Sequence, residues 1–370
     1  MTVEIDDVAL QALLLPFADG LLPWPEASGA PGAGPGRVLF LRARDGWPLH
    51  QRPLPGLVCE QGFKPQVDAL RRSGLAVVEP DAPADDARYP LVLLLPPRQR
   101  DEARALYAQA VARCAPGGRV VAALANDEGA KSGEADLRAL AGPVGSLSKH
   151  KCRVFWTAPL ADQVDPALAA QWARLDAPRP ILGGRFTSRP GVFAWDRIDP
   201  ASALLAAHLP ADLAGRAADL GAGYGYLAAE LLERCPRIAS LDLYEAEHRA
   251  LELARANLAT HAGTRPIGFH WHDVTAGIDS AYDVIVTNPP FHAHGRHERP
   301  DLGRRFIAVA AQALAPGGRL WLVANRHLPY ESALDANFGS VRTVAQQGGF
   351  KVVEAVKAAR PAARTTGARR

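Results

Sequence analysis

The stretch that decides the fold runs from Ala217 to Leu227 and reads Ala-Ala-Asp-Leu-Gly-Ala-Gly-Tyr-Gly-Tyr-Leu. A short apolar strand is predicted to end at Asp219, and Ala228-Ala229-Glu230-Leu231-Leu232 predicts a helix that follows. The turn between them carries three alternating glycines, Gly221, Gly223 and Gly225. Because glycine has no Cβ, a bound nucleotide can approach this backbone closely. The stretch therefore predicts the opening of a nucleotide-binding βαβ unit, a pattern that several classes of protein share.

Two later features narrow the function of that unit. Glu245 ends the next apolar strand, 238–244, where a carboxylate can accept hydrogen bonds from ribose hydroxyls. A further strand, 284–287, leads into the tetrapeptide Asn288-Pro289-Pro290-Phe291. A dehydrogenase is disfavoured, because the dinucleotide fingerprint needs a glycine or alanine where this chain has Tyr226.

The pattern Asp219-x-Gly221-x-Gly223-x-Gly225 resembles the first motif of class I S-adenosylmethionine-dependent methyltransferases. Asn288-Pro289-Pro290-Phe291 resembles the fourth motif of those that methylate an exocyclic or amide nitrogen. The two motifs occur in the order that this family has. The resemblance implies S-adenosylmethionine as the cofactor and a nitrogen atom as the methyl acceptor.

The second half of the chain repeats the first. Ala115-Pro116-Gly117-Gly118-Arg119 recurs as Ala315-Pro316-Gly317-Gly318-Arg319, and Lys151 matches Lys351 at the same offset. Strands and helices alternate in both halves, which predicts two tandem α/β domains of Rossmann-like methyltransferase fold with doubly wound, mostly parallel sheets.

The two copies differ in the residues that carry chemistry. The first copy has Leu95 before its Pro-Pro pair and lacks the glycine-spaced turn after strand 38–41. We therefore expect a degenerate domain at 1–175 that serves as a scaffold or RNA-binding platform. A proline- and glycine-rich linker is predicted at 176–189, a catalytic domain at 190–358 and a disordered basic tail at 359–370.

Composition restricts the class of protein further. The 370 residues are 48% hydrophobic and carry a net charge of +3, which permits an anionic partner without requiring one. The four cysteines show no metal-ligand spacing, and acidic residues near the N-terminus argue against a signal peptide. We expect a cytoplasmic protein with no membrane segment and no metal; its oligomeric state stays open, with a monomer assumed.

A duplicated methyltransferase fold with a degenerate first copy resembles the bacterial ribosomal RNA guanine-N2 methyltransferases, most closely the group that acts on 16S RNA of the small subunit. Pro190-Gly191-Val192-Phe193, Asn288 to His292 and Val323-Ala324-Asn325 carry this resemblance. It implies that ribosomal RNA or a ribosomal subunit is the partner. It also implies cofactor-binding roles for Asp219, the turn from Gly221 through Gly223 to Gly225, Glu245, Asp273 and Phe193.

The implied chemistry is attack of an exocyclic amine on the sulfonium methyl. Asn288 and the Pro289 carbonyl are expected to accept hydrogen bonds from the amine, Pro290 to stiffen the loop, and Phe291 to stack on a flipped base. His292, His294, His297 and Glu298 fit no metal-ligand spacing. The alternatives are a large-subunit RNA methyltransferase, a protein-glutamine or adenine-N6 methyltransferase, and a non-catalytic RNA-binding assembly factor.

Overall fold

A computed structural model describes residues 7–26, 37–78, 87–290 and 300–359 of the chain. It divides into two compact units. The first takes in the chain up to Arg179 together with Arg189–Gly191, and the second takes in Pro180–Ser188 and the chain from Val192 onwards.

The first unit contains a seven-stranded sheet with the order β3-β2-β1-β4-β5-β7-β6. Its strands are β1 (Val38–Leu41), β2 (Leu57–Glu60), β3 (Ala76–Val78), β4 (Tyr89–Leu94), β5 (Cys114–Ala125), β6 (Val144–Lys149) and β7 (Cys152–Thr157). Its helices are α1 (Val8–Ala18), α2 (Lys64–Arg72), α3 (Arg100–Arg113), α4 (Ala130–Ala141) and α5 (Pro166–Trp172). Only β7 runs antiparallel to its neighbours among these strands.

A small two-stranded sheet follows, made of β8 (Arg179–Ile181) and β9 (Phe186–Ser188). The stretch predicted as a linker, 176–189, therefore contains regular structure. Asn257 fixes β9 to the second unit, because its side chain accepts a hydrogen bond from the Thr187 amide at 2.7 Å and donates to the Thr187 carbonyl at 2.9 Å. The predicted tail lies outside the described residues except for Ala359.

The second unit repeats the sheet of the first, with the order β12-β11-β10-β13-β14-β16-β15. Its strands are β10 (Ala214–Leu220), β11 (Arg237–Glu245), β12 (Ile267–Trp271), β13 (Tyr282–Thr287), β14 (Leu314–Asn325), β15 (Ser340–Gln347) and β16 (Phe350–Val356). Its helices are α6 (Pro200–Ala207), α7 (Tyr226–Arg234), α8 (His248–Asn257), α9 (Pro300–Ala313) and α10 (Glu331–Asn337). The predicted fold class, two tandem Rossmann-like domains, is confirmed.

Side-chain alternation along the strands builds a core on each face of the second sheet. Ala217 packs into one core and its neighbour Ala218 into the other. The same period of two places the Asp219 side chain on the Ala217 face, where it is fully buried. A carboxylate therefore occupies a position that the pattern of the strand reserves for an apolar residue.

The register of the last strands corrects one detail of the predicted repeat. Asn126 donates its backbone N–H to Lys151, whereas its counterpart Arg326 donates to Gly349. Lys351 is therefore equivalent to Arg153 and not to Lys151, because the segment between the long central strand and the last hairpin is two residues shorter in the second unit. The offset of 200 holds along the long central strand, β5 against β14, and does not hold for the strands before it.

Candidate active site

The carboxyl ends of four neighbouring strands bring the predicted site residues to one edge of the second sheet. β10 and β13 are adjacent at the position where the strand order reverses, which is where open α/β sheets bind ligands. The Thr287 hydroxyl donates to the Leu220 carbonyl at 2.7 Å, so the two strand ends are tied together. The predicted residues at this edge are Asp219 near the end of β10, Glu245 at the end of β11, Asp273 after β12 and Asn288 after β13.

A pocket opens between these strand ends and the start of α6. Four of the predicted residues line it: Phe193, Gly221, Gly223 and Asn288. Seven further residues complete the lining: Ala194, Asp199, Ser202, Ala222, Tyr224, Tyr226 and Leu227. The glycine turn and the Asn-Pro-Pro motif, distant in sequence, thus face the same cavity.

The three glycines of the turn have different tasks. All have positive φ, at 76° for Gly221, 56° for Gly223 and 91° for Gly225. A Cβ on Gly223 would meet nothing within 4 Å, so its backbone faces open space that a ligand can fill. A Cβ on Gly225 would lie 3.2 Å from the Ala254 side chain, so this glycine lets α7 pack closely on α8.

Asp219 is a buried carboxylate, and neither of its oxygens makes a hydrogen bond of ordinary geometry, although the Ala228 backbone N–H is near enough to act against the rise in its pKa. Burial, with the Glu245 carboxylate nearby, raises the pKa of Asp219 to about 8. Such a group is costly to the fold unless a ligand supplies the missing partner. The orphaned carboxylate therefore fits a cationic ligand group, such as an amino group, above the turn.

Glu245 lies beside the glycine turn. Its Oε2 accepts the backbone N–H of Gly223 at 2.8 Å, and its Oε1 accepts that of Glu247 at 2.8 Å. Burial raises the pKa of Glu245, and these two hydrogen bonds act against that rise. Glu245 is therefore held at the rim of the turn, where its remaining acceptor capacity suits hydroxyl groups.

Asp273 has a local structural task. Its Oδ1 accepts from the Thr275 backbone N–H at 2.9 Å and from the Thr275 hydroxyl at 2.7 Å, which caps the 3-10 helix Val274–Ala276. Asp273 is not among the residues that line the pocket. Its assignment to the cofactor stays a prediction.

Asn288 is held from behind by the start of α6. Its Nδ2 donates to Asp199 Oδ2 and to Ser202 Oγ, both at 2.9 Å. In the rest of the motif Pro289 is buried and Pro290 is exposed, and Phe291 lies outside the described residues.

Phe193 lines the pocket and is 61% exposed, which is unusual for a phenylalanine and leaves its ring available to a ligand. The next residue, Ala194, has φ of 50°, a left-handed conformation that costs a non-glycine residue free energy. The Tyr224 hydroxyl donates to the Arg197 carbonyl at 3.2 Å, so the segment around Phe193 is fastened to the glycine turn.

The sequence did not reveal the residues that support this site through hydrogen bonds, namely Asp199, Ser202, Tyr224 and Thr287. One signal was readable, because Asp199-Pro200 is a strong helix start. It indicates where α6 begins and does not indicate that the cap reaches Asn288.

No group of three or more His, Cys, Asp or Glu residues that could hold a metal ion occurs within the described ranges. The loop with His292, His294, His297 and Glu298 lies outside them. No helix among the residues searched is long and apolar enough to cross a membrane.

Comparison with known proteins identifies the family. The family model of the methyltransferase small domain matches residues 183–354. Ribosomal RNA small subunit methyltransferase C of Pseudomonas aeruginosa (strain UCBPP-PA14) is 33% identical over 285 residues, 75% of this chain and 83% of the relative. The protein of the same name from Shewanella amazonensis is 30% identical over 270 residues, 72% of this chain and 77% of that relative.

The chain belongs to the ribosomal RNA small subunit methyltransferase C family. A solved structure supports the assignment over nearly the whole chain. The T. thermophilus 16S rRNA N2 G1207 methyltransferase, in complex with AdoMet and guanosine, matches with a TM-score of 0.74 and 27% identity, covering 95% of this chain and 92% of that one. The family predicted from the motifs is confirmed.

Proposed function

We propose that this chain transfers a methyl group from S-adenosylmethionine to the exocyclic N2 of a guanine in 16S ribosomal RNA. The observation that carries the proposal is the shared pocket, in which Asn288 of an Asn-Pro-Pro motif faces a glycine turn above the orphaned Asp219 carboxylate. The relatives are named as methyltransferases of small-subunit ribosomal RNA, and the similar T. thermophilus structure is a 16S rRNA N2 G1207 methyltransferase that holds AdoMet and guanosine. An RNA substrate of this kind favours the cytoplasm as the site of action.

The residues present fit the cofactor. Asp219 offers a buried carboxyl group that the positive charge of the cofactor's amino group would keep ionised, the Gly221–Gly223 backbone leaves room for its methionine portion, and Glu245 offers acceptors to its ribose hydroxyls. Phe193 presents an exposed ring at the same pocket. When bound, S-adenosylmethionine supplies an electrophilic methyl group.

Asn288 is the residue that activates the acceptor. A guanine N2 amine is a weak nucleophile, because its lone pair is delocalised into the ring. The Asn288 side-chain oxygen and the Pro289 carbonyl accept its two N–H groups, which favours a tetrahedral nitrogen with a localised lone pair. Positioning of this kind supplies much of a rate enhancement without a general base.

The test is methyl transfer from labelled S-adenosylmethionine to small ribosomal subunits from cells that lack this protein, followed by nucleoside analysis. We expect label in N2-methylguanosine of 16S RNA and a loss of about 100-fold or more with Asn288→Ala. Asn337→Ala serves as the matched control, because Asn337 is an exposed residue of α10 whose side chain bonds only within its helix.

Other outcomes identify the alternatives. Label in 23S RNA would indicate a large-subunit enzyme, and label in protein or in N6-methyladenosine would indicate the other amine and amide methylases. Tight cofactor binding without transfer to any of these would contradict the proposed substrate. Absence of cofactor binding would leave an RNA-binding assembly factor.

A further inference from the structure

The amide of Asn288 has a defined orientation. A carboxylate can only accept hydrogen bonds, so the 2.9 Å contact with Asp199 Oδ2 must involve the Asn288 NH2 group. Its second N–H points to Ser202 Oγ, also at 2.9 Å. Both amide donors are therefore used inside the protein, and the side-chain oxygen is the group that remains for a substrate.

The same contacts couple the motif to the start of a helix. Asp199 Oδ2 also accepts the Ser202 backbone N–H at 2.8 Å, as the N-cap of α6. Asp199 and Ser202 both line the pocket, and Ser202 is buried. One carboxylate oxygen thus fixes the first turn of α6 and the Asn288 amide at once.

We propose that Asp199 and Ser202 are positioning residues that present the Asn288 oxygen to the acceptor, so that the site selects a nucleophile that donates N–H groups. The inference rests on the proposed methyl transfer. A free asparagine can turn its amide over and offer N–H to the substrate, which would repel an amine. The two hydrogen bonds to Asp199 and Ser202, here called the clamp, exclude that second orientation before the substrate binds.

The chain offers variants that separate orientation from charge. Asp199→Ala removes both contacts, whereas Asp199→Asn keeps an oxygen that can accept from Asn288 and from the Ser202 amide. Asp199→Asn therefore tests whether the negative charge itself is needed. Asp165→Ala is the control for the lost cap, because Asp165-Pro166 begins α5 with the same arrangement, Asp165 Oδ1 accepting from Leu168 N–H at 2.9 Å.

The experiment measures kcat, KM for the small subunit and Kd for S-adenosylmethionine in each variant. Asp199→Ala is expected to lower kcat about 10- to 100-fold, as for loss of a hydrogen bond to a charged group. Ser202→Ala is expected to lower kcat about 2- to 10-fold. Asp199→Asn is expected to recover part of the kcat lost in Asp199→Ala, because it keeps an acceptor but not the charge. Asp165→Ala is expected to stay within about threefold of the parent, and Kd is expected to change little in any variant.

A double-variant cycle gives the decisive readout. If Asp199 acts through Asn288, then Asp199→Ala combined with Asn288→Ala has the kcat of Asn288→Ala alone. A further fall in the double variant would overturn the proposal, and so would an Asp199→Asn enzyme as slow as Asp199→Ala. If Asp199→Ala does not fold, the same cycle with Ser202→Ala decides.

Failure of the proposed function can be distinguished from failure of the positioning role. A parent enzyme without transfer, or an Asn288→Ala enzyme with full transfer, contradicts the reaction or the role of Asn288 before the clamp is reached.

Discussion

The same sheet carries a site in the second unit and a filled core in the first. The pairing of strands defines the equivalent positions in the two sheets. Leu41 ends β1 and Leu220 ends β10, and each is paired with a residue at or next to the end of each of the two corresponding neighbouring strands, so these two leucines are equivalent. Counting from them, Phe40, Arg42, Gln61 and Leu95 stand where the second unit has Asp219, Gly221, Glu245 and Asn288.

The buried slot under the turn shows the difference most directly. Phe40 and Asp219 are both fully buried, but Phe40 joins a hydrophobic cluster while Asp219 leaves two oxygens without partners. Where the second unit has this buried carboxyl group, the first unit has apolar packing. A carboxylate at such a position is costly to the fold, and we ascribe its presence to ligand binding.

The turn of the first unit keeps a positive φ but has a side chain where the second unit has Gly221. Arg42 has φ of 52°, close to that of Gly221, and its guanidinium donates to the buried Glu102 at 2.8 Å. Next to it, Gln61 donates to the Ala43 carbonyl at 2.7 Å, whereas its counterpart Glu245 accepts from a turn amide. Replacing an acid with an amide has thus reversed the direction of the contact with the turn.

The largest effect is expected from moving the arginine of the first unit into the second, as Gly221→Arg. The added Cβ would lie 3.5 Å from Phe306, so the long side chain would crowd the turn that lines the pocket. We expect cofactor binding measured by calorimetry to weaken at least about 1000-fold. Gly317→Arg is the control, because Gly317 also has positive φ, at 81°, with nothing within 4 Å of an added Cβ, and does not line the pocket. Equal losses in both variants would mean that strain, not occupancy of the pocket, prevents binding.

A smaller effect is expected from Asp219→Asn on the stability of the cofactor-free protein. The pKa of Asp219 is raised from 3.8 to about 8, so the folded state holds a proton that the unfolded state releases. Stability of the parent therefore falls as pH rises from about 4 to about 8 and levels off above that. The variant lacks this slope and should be more stable by a few kcal/mol at pH 8, with little difference near pH 4.

Thermal unfolding at pH 4.5, 6.5 and 8 checks this expectation. The exposed Asp279→Asn is the control and should show no such dependence on pH. A variant less stable than the parent at pH 8 would mean that Asp219 has a partner in solution. Cofactor affinity should move in the opposite direction, about 10-fold weaker or more in Asp219→Asn, because the amino group loses its anion.

The fold, the glycine turn after β10 and the Asn-Pro-Pro loop after β13 were predictable from the sequence. Strand 38–41 was placed to the residue, and the alternation of strands and helices gave two matching sheets. Other element boundaries moved by a few residues, since β10 extends to Leu220 and α7 begins at Tyr226. Local pattern sets where strands and glycine turns lie, and those two loops follow directly from it.

What the sequence could not supply are pairings that depend on register. Gln61 is recognised as the counterpart of Glu245 only from the register of β2 against β1, compared with that of β11 against β10, because neither residue belongs to a sequence motif. The contact of Asn288 with Asp199 joins residues 89 positions apart and depends on where α6 packs. The length of the connection between the central strand and the last hairpin is a third case, and it shifts the match of Lys151 with Lys351 by two residues.

A still smaller effect is expected from Glu245→Gln, which places in the second unit the side-chain amide that Gln61 has in the first. The single oxygen of the glutamine could accept from the Gly223 N–H or from the Glu247 N–H, and its NH2 group would leave the other N–H without an acceptor. We expect cofactor affinity to fall about 10-fold, as for loss of one charge-assisted hydrogen bond. Glu252→Gln on the exposed face of α8 is the control. An unchanged Kd would remove Glu245 from the cofactor site.

The smallest effect is expected from the reverse change in the first unit, Gln61→Glu. A carboxylate there would face the Ala43 carbonyl, which also only accepts, and it would find the position under the turn filled by Phe40. Arg42, whose guanidinium pairs with Glu102, would still stand at the position of Gly221. Titration calorimetry should therefore give one cofactor per chain, with the Kd of the parent. A second equivalent bound by Gln61→Glu would show that one acid, and not the whole set of replacements, separates the two units; no second equivalent would leave Phe40 and Arg42 as the replacements that keep the first unit closed.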